Sequence, residues 1–130
     1  PEKLLLDVRQ MRQKMREQLG SGAGDTFDLK QDAGGVADIE FLVQYLVLRW
    51  APSYPSVYFY TDNIRQLEAL AREGVLSERD AGALMDIYRN FRSRIHQLKL
   101  QEVEGRVPGD EYRAERAEVT RLWNSIVGEG

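Results

Sequence analysis

The sequence contains no cysteine and a single histidine, His96. Without a thiol there can be no disulfide, no zinc finger and no cysteine nucleophile. A histidine metal site or a Ser-His-Asp triad would have to be built on His96 alone. Absence of cysteine fits a reducing compartment, and a cytoplasmic location is expected. Long apolar runs are also missing. Phe41 to Trp50 is interrupted by Gln44 and Arg49, and it falls far short of the ~20 residues that a bilayer-spanning helix needs. Pro1-Glu2-Lys3 leads straight into a charged amphipathic segment, and no signal peptide is expected. Charge of one sign does not dominate: 18 Lys and Arg stand against 21 Asp and Glu, interspersed, for a net charge of -3. That gives no strong field for nucleic acid. Neither nucleic acid nor membrane is expected as a partner. The chain starts on Pro1 instead of methionine, as expected for a piece of a longer polypeptide.

What is present fits one ordinary domain. A length of 130 residues is enough to bury a core without staples. Leu4, Val8, Met11, Met15 and Leu19 recur at spacings of three and four, which predicts a first helix over Leu4 to Leu19 with those residues in the core. The Gly20-Ser21-Gly22-Ala23-Gly24 cluster stops it. Phe27 to Gly35 reads as loop, with a short extended piece at Phe27-Asp28-Leu29. Val36 to Trp50 is apolar around most of its circumference, the pattern of a buried, central helix. Pro52 and Pro55 end it, and Tyr54, Tyr58, Phe59 and Tyr60 form an aromatic connection.

Asp62 is a good N-cap for a third helix with Ile64, Leu67, Leu70 and Ala71 on one face. Gly74 should cap its end, with Val75 and Leu76 as the apolar residues that follow. Ser77-Glu78-Arg79-Asp80 resembles a capping box. It opens a fourth helix with Leu84, Tyr88, Phe91, Ile95 and Leu98 on one face, reaching to about Val103. Gly105, Pro108 and Gly109 break the pattern, and Tyr112, Val119, Leu122, Trp123 and Ile126 mark a fifth helix. The expected fold is all-α: a five-helix bundle, residues 1–130 as one domain, with a Gly-rich loop leading into a central buried helix.

Three constellations could carry chemistry. Gly34-Gly35 before a helix start could let an anion approach backbone N–H groups, with Lys30 adding a formal charge. The plain alternative is a loop that simply enters a helix, and spacing alone favours it. No Walker sequence is present. Asp38 and Glu40, two apart on a helix, lie on roughly opposite sides and cannot serve one metal together. Asp38 is nearer the loop and is the better ligand or metal-water contact. Glu40 in an apolar helix needs a partner, and an arginine of the fourth helix is the natural one. Arg89, Arg92 and Arg94 with His96 form a basic cluster that could meet phosphate. Pairing with Glu40, Asp38 and surface acids is the more ordinary role. The aromatic group at Tyr54 to Tyr60 could stack a base but more commonly packs a loop.

At this point the residues resemble a known family. "FDLKQDAGGVADIEFLVQYLVLRW" at Phe27 to Trp50 strongly resembles the segment that follows the catalytic domain in glutamine-synthetase adenylyltransferases. "MRQKMREQLG", "TDNIRQLEAL" and "HQLKLQE" resemble other stretches of the same family, in order, over nearly the whole chain. The version here is similar to the C-terminal, adenylylating half. The resemblance implies a parent enzyme that transfers AMP from ATP to a tyrosine of glutamine synthetase, uses Mg²⁺ or a similar metal, and answers to PII signal proteins and glutamine. This chain would be the helical domain after the second nucleotidyltransferase domain. The family's catalytic signature is a Gly-Ser pair followed by an Asp-x-Asp pattern. Gly20-Ser21 is followed by no such acids, so the chain alone is expected to be inactive, since nucleotidyl transfer needs metal ions on the phosphates. The resemblance carries over Lys30, Gly34, Gly35, Asp38 and Glu40 as a loop-to-helix motif. It implies that Lys30, Gly34, Gly35 and Asp38 face the nucleotide site of the preceding catalytic domain or fix the interface with it. The competing readings are a protein-docking module that touches no nucleotide and an independent small enzyme.

Overall fold

The computed structural model describes residues 2–19, 26–55 and 62–128, without the side chains of residues 18 and 19. Five helices lie in the order expected: α1 (Glu2–Leu19), α2 (Val36–Trp50), α3 (Asn63–Arg72), α4 (Glu78–Leu100) and α5 (Arg113–Ile126). The fold is an all-α bundle. The Gly20 to Gly24 stop and the aromatics Tyr58, Phe59 and Tyr60 lie outside the described residues.

Helix α2 packs against each of the other four helices. Its Ile39, Leu42 and Val43 are fully buried, and Leu46 and Val47 nearly so. A helix with apolar residues on most of its surface can be satisfied only in the middle of a bundle. Leu67 and Leu70 of α3, Leu84 and Phe91 of α4, and Val119 and Leu122 of α5 close around it. Phe91 is met edge-on by Phe27 and by Tyr112, at centroid distances of 5.7 and 5.3 Å.

The local signals at helix ends act as their chemistry requires. The Asp62 side chain accepts from Arg65 N–H, and Ser77 Oγ accepts from Asp80 N–H, satisfying donors that the first turn leaves over. At the end of α3, Gly74 has φ +78°. Gly74 N–H donates to Ala71 O and Val75 N–H to Leu70 O, a Schellman closure with Leu76 buried behind it.

Two readings need correction. The first concerns the apolar face of α1. Val8 is buried, but Met11 is 61% exposed and Met15 only half-buried, while Arg12 is wholly buried. The inner face runs through Val8, Arg12 and Arg16, one turn at a time, because a carboxylate waits opposite it. The second concerns α4, which ends at Leu100 and not near Val103. Val103 N–H donates to Leu98 O and Glu102 N–H to Lys99 O, with Glu102 at φ +59°. The same closure that glycine makes easy at α3 is here forced on a glutamate. Residues Arg106–Pro108 form a strand, β2, antiparallel to β1 (Thr26–Asp28), with Phe27 opposite Val107. Leu29 N–H continues the pairing onto Gly105 O. The extended piece at Phe27 therefore has a partner some eighty residues away, which no local pattern announces.

A left-handed conformation costs a non-glycine residue about 1 to 2 kcal/mol. Glu102→Gly should therefore raise stability by about 1 kcal/mol after allowing for the greater unfolded-state freedom of glycine. A shift of the urea midpoint to higher concentration at constant slope is the expected readout. Phe91→Ala should lower it by about 3 to 5 kcal/mol.

Candidate functional site

The loop before α2 is closed by its own hydrogen bonds. Asp28 Oδ1 accepts from the N–H groups of Lys30 and Gln31, both at 3.0 Å, and Asp32 Oδ2 accepts from Asp28 N–H at 2.9 Å. Gly35 N–H donates to Asp32 O, Val36 N–H to Leu29 O and Ala37 N–H to Lys30 O. The N–H groups of Val36 and Ala37, the first two of α2, are thus bonded inside the chain. An anion site at a helix start needs such groups free.

Both glycines have packing reasons. Gly34 sits at φ +83°, and a Cβ there would lie 2.8 Å from the Arg116 carbonyl oxygen of α5. A Cβ on Gly35 would lie 2.5 Å from Leu29 O. The double glycine lets the loop pass tightly between α5 and its own beginning. Lys30 is exposed and its ammonium makes no ion pair among the described residues.

Asp38 is the centre of the region. It is 1% exposed, and both carboxylate oxygens are occupied. Oδ1 accepts from Arg12 Nε at 2.5 Å and from Arg16 Nη2 at 3.0 Å, and Oδ2 accepts from Gly34 N–H at 2.7 Å. Arg12 Nη2 also donates to Gln31 O at 2.6 Å. One carboxylate therefore joins α1, the glycine turn and the first turn of α2. A buried carboxylate is tolerable only when paired and hydrogen-bonded like this.

The basic cluster of the fourth helix does not supply these partners. Arg89, Arg92 and His96 are exposed, and Arg94 reaches Glu111 at 3.8 Å. Asp38 is paired from α1 because Arg12 and Arg16, four residues apart, share one face. That spacing was legible in the sequence, but reading the stripe through Met11 and Met15 hid it. Glu40 does turn toward α4, where it accepts from the Tyr88 hydroxyl at 3.4 Å, and Tyr88 Oη accepts from Asn63 Nδ2 at 3.1 Å. Its partner is a tyrosine and not an arginine. Among the described residues no group of three or more His, Asp or Glu side chains is placed to hold a metal ion.

A cleft of about 320 Å³ opens beside the cluster, walled by Gln13 and Arg16 of α1, Ala33 and Asp38, and Thr120 and Asn124 of α5. Past Ala33 it runs into a wider one of about 510 Å³ that reaches Arg113, Arg116 and Arg121. Arg121 donates to Glu118 and Asp80. Its hydrogen bond is the main reason that the Glu118 carboxyl is held below its ordinary value. The stability this pair adds is present above the ordinary carboxyl range and is lost as pH falls through the lowered value. At the surface it is small.

Replacing Asp38 leaves two guanidinium groups without their shared anion and frees the Gly34 N–H. Asp38→Ala should therefore lower stability by about 3 to 5 kcal/mol, read by urea denaturation followed by circular dichroism. An exposed control, Asp86→Ala, should stay within about 0.5 kcal/mol of the parent.

A sequence model of the family described as GlnD PII-uridylyltransferase matches residues 8–123. Similar proteins are the bifunctional glutamine synthetase adenylyltransferase/adenylyl-removing enzymes of Hahella chejuensis, Nitrosococcus oceani and Thioalkalivibrio sulfidiphilus. They are 47, 47 and 49% identical over 99, 98 and 99% of this chain, respectively. The chain spans only 14, 13 and 13% of the length of those relatives. No helix is long and apolar enough to cross a membrane among the described residues. On the family match over most of its length, the chain belongs to the GlnD PII-uridylyltransferase family.

Proposed function

We propose that this chain is the helical domain following the second, adenylylating nucleotidyltransferase domain of a glutamine synthetase adenylyltransferase. In that setting the Lys30 to Asp38 loop borders the nucleotide site of the preceding domain, and the bundle supports docking of glutamine synthetase. The observation that carries the reading is the 47 to 49% identity to adenylyltransferases along nearly the whole chain. The loop geometry adds a division of labour. Gly34, Gly35 and Asp38 hold the loop in shape, and Lys30 offers an exposed charge to the neighbouring site.

ATP and Mg²⁺ belong to the parent enzyme, with the metal held by carboxylates of the preceding domain. This chain alone would not transfer AMP. Its partners are that domain, glutamine synthetase and, through the parent, a PII signal protein. The setting is cytoplasmic.

A second reading has its own observation. Leu100 and Val103 are 72 and 51% exposed at the end of α4, within the stretch "HQLKLQE" and just beyond it. Exposed apolar residues in one place suit protein contact, and a docking module need not touch nucleotide.

AMP transfer by the full-length protein separates the two. Lys30→Ala should raise the apparent KM for ATP about tenfold, the size of one charge-assisted contact, with folding unchanged. Equal KM and kcat in the variant would remove the loop from the site. Loss of glutamine synthetase binding in Leu100→Asp with a normal KM for ATP would favour docking.

A further inference from the structure

The charges around Asp38 do not balance. Two guanidinium groups meet one carboxylate. Arg12 Nη1 and Arg16 Nε are buried with no hydrogen-bond partner among the described residues. Arg12 is sealed, but the Arg16 side chain is 32% exposed and forms a wall of the narrower cleft. Its guanidinium lies 5.6 Å from the Trp123 ring centroid. Thr120 and Asn124 bring a hydroxyl and an amide to the same space.

Further along the groove the excess positive charge recurs. Among the described residues Arg116 donates to the carbonyl oxygens of Gly109 and Ala33 and lies over the Phe27 ring at 4.0 Å. None of these neutralises it. Arg113 is exposed, with no ion pair among the described residues. Both sit in the first turn of α5, where the helix dipole disfavours a cation. Helix stability therefore does not account for them. Arg121 differs, being balanced by Glu118 and Asp80. Asp38, the one acid among the described residues lining the groove, is already paired with Arg12 and Arg16.

We infer that the groove between α1, the Ala33 turn and α5 binds linked phosphate groups. Arg16, Thr120 and Asn124 hold one phosphate at the closed end, and Arg113 and Arg116 meet the next at the open end. A lone carboxylate would serve only one end. A chain of phosphates carries charge along its length, and the guanidinium fork matches phosphate oxygens. This site goes beyond the enzyme-level reading above and does not rest on it, because it uses residues of this chain only.

Inorganic triphosphate and ATP, titrated separately into the 130-residue chain at low salt, test it by calorimetry and by thermal unfolding. Triphosphate should bind, raise the unfolding temperature and lose affinity as salt is added. Arg16→Gln should weaken binding about tenfold or more and Arg113→Gln about threefold to tenfold, each loss equivalent to one charged contact. Arg16→Lys should recover part of the loss. Comparable affinity for ATP would identify a nucleotide as the source, and tighter binding of triphosphate an inorganic one; both support the site. If Arg16→Gln fails to fold, Arg113→Gln decides, since the Arg113 side chain is exposed and makes no ion pair among the described residues. The proposal is overturned if triphosphate neither binds nor shifts unfolding, if ATP binds and triphosphate does not, or if Arg113→Gln binds as the parent does.

Discussion

The carboxylate of Asp38 is the tie on which the arrangement depends. It sits in the first turn of the central helix, 1% exposed, and must be answered from within the chain. Arg12 and Arg16 answer it from α1, and Gly34 N–H answers it from the loop. This explains a fully buried arginine on a helix whose Met11 is exposed and whose Met15 is only half-buried. Burying Arg12 costs desolvation, and the bonds to Asp38 and to Gln31 O offset it.

A second constraint closes the other side of the loop. The Gly105 carbonyl and strand β2 hold Leu29 and β1 in place. The Leu29 and Lys30 carbonyls then take the first N–H groups of α2. The glycine turn is caught between this frame and the α5 backbone, so neither glycine can carry a Cβ without displacing main chain. The result is a stiff loop with its donors turned inward and Lys30 outward. That is a loop suited to presenting a surface to another domain, more than to cradling a phosphate on its own helix start. The groove toward α5 is a different environment, because there the guanidinium groups outnumber the acids able to meet them.

Much of the fold was legible because its signals are local. Asp62, Ser77 and Gly74 act through atoms within a few residues, and each closes the helix end expected of it. The continuous apolar surface of Val36 to Trp50 permits no position but the centre. What the sequence reading missed was long-range. The partner of Phe27 in the small sheet is Val107, and α4 ends at Leu100 in a left-handed closure at Glu102 that no glycine announces. In the candidate site, spacing alone favoured a plain loop at Gly34-Gly35, and the hydrogen bonds that Asp38 accepts there from Arg12, Arg16 and Gly34 were not legible in it.

By itself, then, the sequence determined the number, order and most of the limits of the helices, and which one is central. Periodicity and capping are short-range physics and are written in neighbouring residues. Only the tertiary structure decided who pairs with whom. The arginine cluster on α4 was the expected partner of Asp38, and the choice of Arg12 and Arg16 instead follows from which face of α1 comes to lie against the first turn of α2. Charge pairing between elements depends on distance and burial in space, and these exist only once the helices have packed.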